Sequence, residues 1–225
     1  MTKRRDCIAT LLALPAVALL PQGAQATQPA AGAPERRWLI VGDSLSAEYG
    51  LRRGTGWVTL TDQRLQREGP ATTVINASIS GDTTAGGRAR LAALLARHRP
   101  THVSIELGGN DALRGLPLTQ TEENLHAMIL MSRKAGAHVM LIGMQVPPNY
   151  GADYGRGFAG LFPALSRREK TALVPFLLAG IADGADALKG FQPDRIHPVE
   201  AAHPKIVETV WPILQPWLSA SSPAR

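Results

Sequence analysis

A single cysteine stands among the 225 residues of the chain, and its position excludes several classes of protein. Cys7 lies before an almost wholly apolar run from Ile8 to Leu20, in a segment that we expect to be absent from the mature protein. Without cysteine, the mature chain has no disulfide framework and no cysteine-bound structural zinc. It is still long enough to bury one hydrophobic core without cross-links.

Aromatic residues are also scarce, at 5% of the chain, although the formal net charge is +6. Basic residues are scattered along predicted helices, as at Arg88, Arg90 and Arg97, without aromatic residues between them. This pattern favours solvated helix faces over a nucleic-acid surface. The glycine-rich signature of a phosphate-binding loop is absent as well. We therefore expect no nucleic-acid partner and no more than transient contact with a membrane surface.

The amino terminus has the three parts of a secretory signal. Basic residues at positions 3–5 precede the apolar run, and Ala24-Gln25-Ala26 matches the small-x-small pattern of a signal-peptidase site. The run is shorter than the roughly 20 residues that a membrane-spanning helix needs. We predict a cleaved signal peptide at residues 1–26, a flexible leader at residues 27–36 and one domain at residues 37–220. The expected location is periplasmic or secreted. We favour the general secretory route, because the residues after Arg4-Arg5 fit a twin-arginine motif only loosely.

Short apolar runs alternate with amphipathic segments along the rest of the chain. Strands are predicted at residues 38–41, 72–75, 102–107, 138–142 and 171–174, and helices at residues 56–66, 83–99, 119–135, 153–170 and 204–218. This alternation is the signature of a parallel sheet that is covered by helices on both faces. The sequence therefore predicts a three-layer α/β/α sandwich with about five parallel strands.

The first predicted strand ends in Gly42-Asp43-Ser44, which places a hydroxyl at the carboxyl edge of the sheet, where sites in open α/β folds lie. A serine nucleophile needs a base within hydrogen-bond reach, and His197 is the candidate. Asp194, three residues earlier, can hold the imidazole in the required tautomer. We predict a catalytic triad of these three residues. His203 is the competing base, but it has no comparably spaced acid.

The loops after the second and third predicted strands supply donors for an oxyanion. A tetrahedral intermediate needs such donors, and the backbone N–H groups of Ser44 and Gly81 and the side-chain amide of Asn110 are the candidates. A glycine at position 81 would let the backbone approach the substrate closely. Because all of its residues are turn formers, the segment 108–111 is also consistent with a turn that only ends a strand.

Four sequence blocks resemble those of the GDSL, or SGNH, hydrolases, which are named for Ser, Gly, Asn and His. The blocks are Gly42-Asp43-Ser44-Leu45, Gly81, Gly108-Gly109-Asn110-Asp111 and Asp194-x-x-His197-Pro198. Longer matches at residues 41–47, 76–83 and 106–111 and at Leu113-Arg114-Gly115 are similar to the TesA-type group of acyl-CoA thioesterases, lysophospholipases and arylesterases. The resemblance extends from Trp38 to about Leu218.

This resemblance implies a flavodoxin-like sandwich that hydrolyses acyl esters and thioesters through an acyl-enzyme on Ser44. It implies no metal and no cofactor, and a small-molecule acyl ester or lipid as substrate; we expect a monomer. It assigns the triad and the oxyanion donors as above. Substrate-binding residues are expected in a loop that closes over the acyl chain and in the segment Pro148-Asn149-Tyr150-Gly151. They are Asp111, Leu113, Leu116, Pro117 and Tyr150.

Two alternatives remain open at this point. A carbohydrate O-acetyl esterase of the same superfamily would prefer acetyl groups and have a polar pocket, in contrast to the apolar residues Leu113 and Leu116. A non-catalytic envelope-binding protein on the same scaffold would lack a member of the triad or of the oxyanion hole. The Gly-x-Ser-x-Gly elbow of α/β-hydrolases is absent, because Ser46 stands where that motif requires glycine.

Overall fold

Five parallel strands form the centre of the fold in a computed structural model that describes residues 36–183 and 187–220. The strands are β1 (Arg36–Gly42), β2 (Thr72–Asn76), β3 (His102–Glu106), β4 (His138–Ile142) and β5 (Ala172–Val174). Their order is β2-β1-β3-β4-β5, and every neighbouring pair is parallel. The predicted signal peptide lies outside the described residues, as does the predicted leader except Arg36, which is the first residue of β1.

Six α-helices of the described residues connect and follow the strands. They are α1 (Trp57–Glu68), α2 (Thr84–His98), α3 (Gly109–Leu113), α4 (Leu118–Lys134), α5 (Ala152–Glu169) and α6 (His203–Ser219). Helix α1 packs against α6, whereas α4 packs against both α2 and α5, so the helices form two groups on the sheet. The predicted α/β/α sandwich is confirmed, and its strand order is that of flavodoxin-like folds.

The two central strands β1 and β3 are buried on both of their faces. All five residues of β3 and the last five residues of β1 are buried, as expected for strands with helices on both faces. Trp38 of β1 is fully buried, and its indole N–H donates to Ser104 Oγ on β3 at 2.9 Å. In the part of the chain that the structure describes, no helix combines the length and the apolar character needed to cross a membrane.

The strand order also determines where the loops meet. Strand β1 lies between β2 and β3, and the chain leaves it first toward β2 and then returns past it to β3. The loops after these three strands therefore emerge side by side at the carboxyl edge, at the point where open α/β sheets hold their ligands. One predicted turn is a short helix instead, because α3 begins at Gly109, directly after Gly108 with its left-handed φ of 118°.

Candidate active site

A chain of hydrogen bonds joins the three residues of the predicted triad. Ser44 Oγ lies 2.8 Å from His197 Nε2, and His197 Nδ1 lies 2.7 Å from Asp194 Oδ2. The other oxygen of Asp194 accepts the backbone N–H groups of Ile196 and His197 at 2.9 and 3.0 Å. The structure therefore brings together a hydroxyl, a base and a carboxylate that are up to 153 residues apart in sequence.

These contacts also determine the charge of Asp194. Partial burial of the carboxyl opposes ionisation, but the hydrogen bonds from the backbone N–H groups of His197 and Ile196 and from the imidazole outweigh it. Together they lower the pKa of Asp194 below its ordinary value. An ionised Asp194 at neutral pH can hold the proton of His197 on Nδ1, which leaves Nε2 free to accept the hydroxyl proton of Ser44.

His203, the competing base, does not reach Ser44. It is buried at the start of α6, where its Nδ1 accepts the backbone N–H of Trp57 at 3.0 Å. Burial lowers the pKa of this imidazole, so the neutral ring serves as an acceptor between α6 and α1. Its role in the structure is to join these two helices.

The predicted oxyanion donors come from the segments that follow β1, β2 and β3. Among the described residues, neither the Ser44 N–H nor the Gly81 N–H donates to a protein acceptor. Asn110 Nδ2 donates one hydrogen to Asp43 Oδ2 at 3.1 Å, and its second hydrogen has no partner among the same residues. Gly81 has a φ of 79°, and a Cβ there would meet no protein atom within 4 Å. The backbone conformation, rather than close protein packing, therefore favours glycine at this position.

A cavity of about 580 Å³ opens in front of these groups, and Ser44, Gly81, Asn110 and His197 all line it. Its wall is mostly apolar, with Met144 and Val146 after β4 and Phe176 and Leu178 after β5. These apolar residues are not among the substrate-binding residues that the sequence predicts. Their positions in the sequence could have indicated them, because they come shortly after strands that end at the same edge of the sheet as β1.

Of the predicted substrate-binding residues, only Leu113 lines this cavity. Asp111 is buried, and its carboxylate accepts the backbone N–H of Thr84 at 2.9 Å and also the Thr84 hydroxyl. It therefore joins α3 to the start of α2 instead of facing a substrate. Leu116, Pro117 and Tyr150 do not line the cavity. The Tyr150 hydroxyl instead donates a hydrogen bond to the Leu113 carbonyl at 3.4 Å.

Two buried carboxyl groups adjoin the turn that carries Ser44. Asp43 is 2% exposed and accepts hydrogen bonds from Leu45 N–H and Asn110 Nδ2 at 3.0 and 3.1 Å. Burial raises its pKa to about 6, against the opposing effect of these hydrogen bonds. Glu106 is fully buried and accepts Ser46 Oγ at 2.8 Å and Asp43 N–H at 3.3 Å. Burial and the neighbouring Asp43 raise the pKa of Glu106 well above its ordinary value.

No group of three or more histidine, cysteine, aspartate or glutamate side chains within residues 36–183 and 187–220 could hold a metal ion. The groups that the site does offer are a hydroxyl, an imidazole, a carboxylate and convergent N–H donors. Such a set suits attack on a carbonyl carbon and stabilisation of the oxyanion that results.

Comparisons with known proteins agree with this chemistry. A model of the GDSL-like lipase/acylhydrolase family matches residues 40–204. Esterase TesA of Pseudomonas aeruginosa is 52% identical over 180 residues, covering 80% of this chain and 88% of that protein. Thioesterase 1/protease 1/lysophospholipase L1 of Escherichia coli (strain K12) is 39% identical over 184 residues, covering 82% and 86%. The crystal structure of TesA, at 50% identity, covers 81% of this chain and 99% of its own with a TM-score of 0.77.

Fold, site and relatives together define a hydrolase that acts on ester bonds of small molecules. The chain belongs to the GDSL-like lipase/acylhydrolase family. This confirms the family that the four sequence blocks predict, and with it the prediction of an esterase.

Proposed function

We propose that this esterase cleaves acyl esters and thioesters through an acyl-enzyme on Ser44. Ser44 Oγ attacks the substrate carbonyl carbon while His197 Nε2 accepts the hydroxyl proton, and Asp194 holds the tautomer. His197 then gives this proton to the leaving alcohol or thiol as the bond between the carbonyl carbon and that group breaks. Water attacks the acyl-enzyme by the same route, and the carboxylic acid leaves.

In this mechanism, the negative oxygen of each tetrahedral intermediate binds the N–H groups of Ser44 and Gly81 and the amide of Asn110. The first two donors have no competing acceptor among the described residues, and the third is oriented by Asp43. Donors that are fixed before the reaction stabilise developing charge without reorganisation. Removal of one such donor raises the barrier by about 3–4 kcal/mol.

The observation that carries the proposal is the hydrogen-bonded chain from Ser44 to Asp194 at the wall of an apolar cavity. A volume of about 580 Å³ is within the range of small-molecule sites, and an apolar wall suits an acyl chain longer than acetyl. A polar acetyl pocket, as in the O-acetyl esterase alternative, does not match this lining. The non-catalytic alternative requires a missing member of the triad or of the oxyanion hole, and all five predicted residues are present.

We also propose that residues 111–117 close over the bound acyl chain. Two hydroxyl groups hold this segment in the present arrangement, since Tyr150 and Tyr154 donate to the carbonyl oxygens of Leu113 and Leu116 at 3.4 and 3.0 Å. Closure would turn the apolar side chains of Leu116 and Pro117 toward the substrate, beside Leu113, which already lines the cavity. The names of the relatives support lipid-like substrates, since one of them is called a thioesterase and a lysophospholipase.

A series of 4-nitrophenyl esters from acetyl to palmitoyl, with Ser44→Ala and His197→Ala alongside, tests the mechanism. We expect the best kcat/KM on medium or long chains and a loss of about 10³-fold or more in kcat in both variants, because each removes a group that the chemical step needs. Unchanged circular dichroism controls for the fold. A variant that keeps most of the activity contradicts the triad, and activity on acetyl alone supports the deacetylase alternative.

The same enzyme is proposed to act outside the cytoplasm as a monomer, after removal of residues 1–26. The basic, apolar and small-x-small pattern of the amino terminus supports export. Expression of the full chain, followed by amino-terminal sequencing of the periplasmic or secreted product, should give Thr27 as the first residue. A product that keeps its amino terminus and remains in the cytoplasm contradicts the proposal. Size-exclusion chromatography with light scattering tests the monomer.

A further inference from the structure

His197 contacts a second group besides its triad partners. The ring of Tyr49 packs on the imidazole with a centroid distance of 4.4 Å and an angle of 39° between the planes. Tyr49 is 50% exposed, and no residue in the described part of the chain hydrogen-bonds its hydroxyl. Its backbone N–H donates to the Ser44 carbonyl at 3.3 Å, so the ring belongs to the same turn as the nucleophile.

Gln192 holds this turn against the segment that carries His197. Its backbone N–H donates to the His197 carbonyl at 2.7 Å. Its side-chain Nε2 donates to the carbonyl oxygens of Tyr49 and Pro198, both at 3.0 Å. The amide has two hydrogens, and each meets an atom that can only accept. A carboxylate of the same shape would place an acceptor against two acceptors.

Gly50 permits this close approach. Its φ of 70° is in the left-handed region, which favours glycine. A Cβ at this position would lie 2.2 Å from Gln192 Oε1 and 2.9 Å from Gln192 Nε2. The turn after Ser44 and the side chain of Gln192 therefore fit each other only when residue 50 lacks a side chain.

We propose that Gln192, Tyr49 and Gly50 form a clamp that positions the His197 imidazole for proton transfer from Ser44. This inference rests on the proposed function of the site. The three are positioning residues, because they act through His197 and not on the reacting atoms. A base must stay within about 2.6–3.2 Å of the proton that it accepts, and a misplacement of about 1 Å costs about 10²-fold in rate. Asp194 binds Nδ1 of the ring. Within the clamp, Tyr49 packs on the face of the imidazole and Gln192 binds the backbone carbonyl of His197.

The test uses the mature protein and the variants Gln192→Glu, Tyr49→Ala and Tyr49→Phe. Gln215→Glu on α6 is the control for charge, since this exposed residue is close in sequence to Trp217 and Leu218, which contact the first residues of β3 and β1, away from the carboxyl edge. Three quantities are measured: kcat and KM for 4-nitrophenyl octanoate, the rate at which methanesulfonyl fluoride inactivates the enzyme, and the melting temperature. The sulfonyl fluoride has no acyl chain, so its rate reports on Ser44 and its base without the cavity.

We expect Gln192→Glu and Tyr49→Ala to lower kcat and the inactivation rate about tenfold, which corresponds to about 1.4 kcal/mol. KM should stay within about twofold for Gln192→Glu, because Gln192 does not line the cavity, whereas Tyr49 does. Tyr49→Phe should recover most of the rate, because the ring and not the hydroxyl contacts the imidazole. The double variant Gln192→Glu/Tyr49→Ala should be no slower than the slower single variant, since both act through one residue. The melting temperatures of the two Tyr49 variants should change by less than about 3 °C, since Tyr49 is half exposed.

The proposal is overturned if Tyr49→Ala changes KM but not kcat, which would make Tyr49 a substrate contact. It is also overturned if Gln192→Glu behaves like Gln215→Glu, or if Tyr49→Phe is as slow as Tyr49→Ala. Should Gln192→Glu fail to fold, the two substitutions of the half-exposed Tyr49 decide the matter alone. Failure of the proposed function is distinguishable, because the wild-type enzyme would then be inactive or Ser44→Ala would remain active.

Discussion

Replacement of Asp43 by asparagine should stabilise the fold at neutral pH and slow the reaction. Burial raises the pKa of this carboxyl from 3.8 to about 6. The difference corresponds to about 3 kcal/mol by which the folded protein disfavours the ionised form. Asparagine has nearly the same shape and no charge, and its oxygen can still accept the Leu45 N–H. The variant loses the acceptor for Asn110, which costs about 1 kcal/mol, so we expect a net gain of about 2 kcal/mol.

The loss of activity has a separate origin. Asp43 Oδ2 orients the amide of Asn110, the proposed oxyanion donor. Without this acceptor the amide is free to rotate, and we expect kcat to fall by about tenfold or more, within the effect of removing an oxyanion donor. Stability and activity should therefore change in opposite directions at one residue, as is common where a site holds an unfavourable group.

The pH dependence gives the sharper assay. The folded carboxyl keeps its proton to a higher pH than the unfolded one, so the folded state binds more protons between about pH 4 and pH 6. The Asp43 contribution to the unfolding free energy is therefore greatest below about pH 4 and is lost as the pH rises to about 6. Urea unfolding should show Asp43→Asn about 1 kcal/mol less stable than wild type at about pH 4, where only the lost hydrogen bond counts. The two curves should then cross as the pH rises, and the variant should be more stable by a constant amount of about 2 kcal/mol above about pH 6.

Asp153→Asn is the matched control, because the Asp153 side chain is 97% exposed and has no comparable cost of burial. Its stability relative to wild type should stay nearly constant over the same range. A difference between Asp43→Asn and wild type that is equal at about pH 4 and about pH 8 would refute the reasoning. So would a variant that is less stable than wild type at about pH 8.

Two pairs of substitutions test the core around the site by urea unfolding. Glu106→Gln should change the unfolding free energy by less than about 1 kcal/mol, since a protonated carboxyl and an amide accept the same two hydrogen bonds. Glu106→Ala should lower the unfolding free energy by about 2–4 kcal/mol. Equal losses in the two variants would contradict a neutral Glu106. Gly87→Ala should cost about 1–3 kcal/mol, because its Cβ would lie 2.3 Å from Cδ1 of the fully buried Leu107. Gly160→Ala, also in a helix but with no atom within 4 Å, should gain about 0.5–1 kcal/mol, and a loss there would contradict the packing argument.

The hydrogen-bonded arrangement of Ser44, His197 and Asp194 was predictable because each of these residues has a local signature in the sequence. Ser44 ends an apolar run, and Asp194 and His197 are three residues apart, a spacing that their hydrogen bonds in the structure use directly. Asp111, which we predict as a substrate-binding residue, does not line the cavity although it adjoins Asn110 in the sequence. Both residues lie in α3, where consecutive side chains point about 100° apart, so Asn110 faces the cavity while Asp111 turns to Thr84.

The cavity wall was not predictable for a different reason. Met144 and Phe176 follow β4 and β5, and their positions depend on loop conformations that no periodicity encodes. Sequence patterns identify a residue at the end of a strand, but the direction of its side chain depends on the backbone after the strand ends. The same reason explains why the packing of Tyr49 on His197 was not anticipated.

The register of three strands connects the apolar core to the proposed oxyanion hole. Strand β1 pairs with β2 and β3 so that Ile40 stands beside Asn76 and Gly42 beside Glu106. Gly81 then follows on one side of Ser44 and Asn110 on the other. A slip of one residue in either pair would move a donor by about 3.3 Å, which exceeds the tolerance of a hydrogen bond, and would turn buried side chains to the opposite face. The buried residues of β1 and β3 thus fix the geometry in which three donors from separate loops can bind one oxygen.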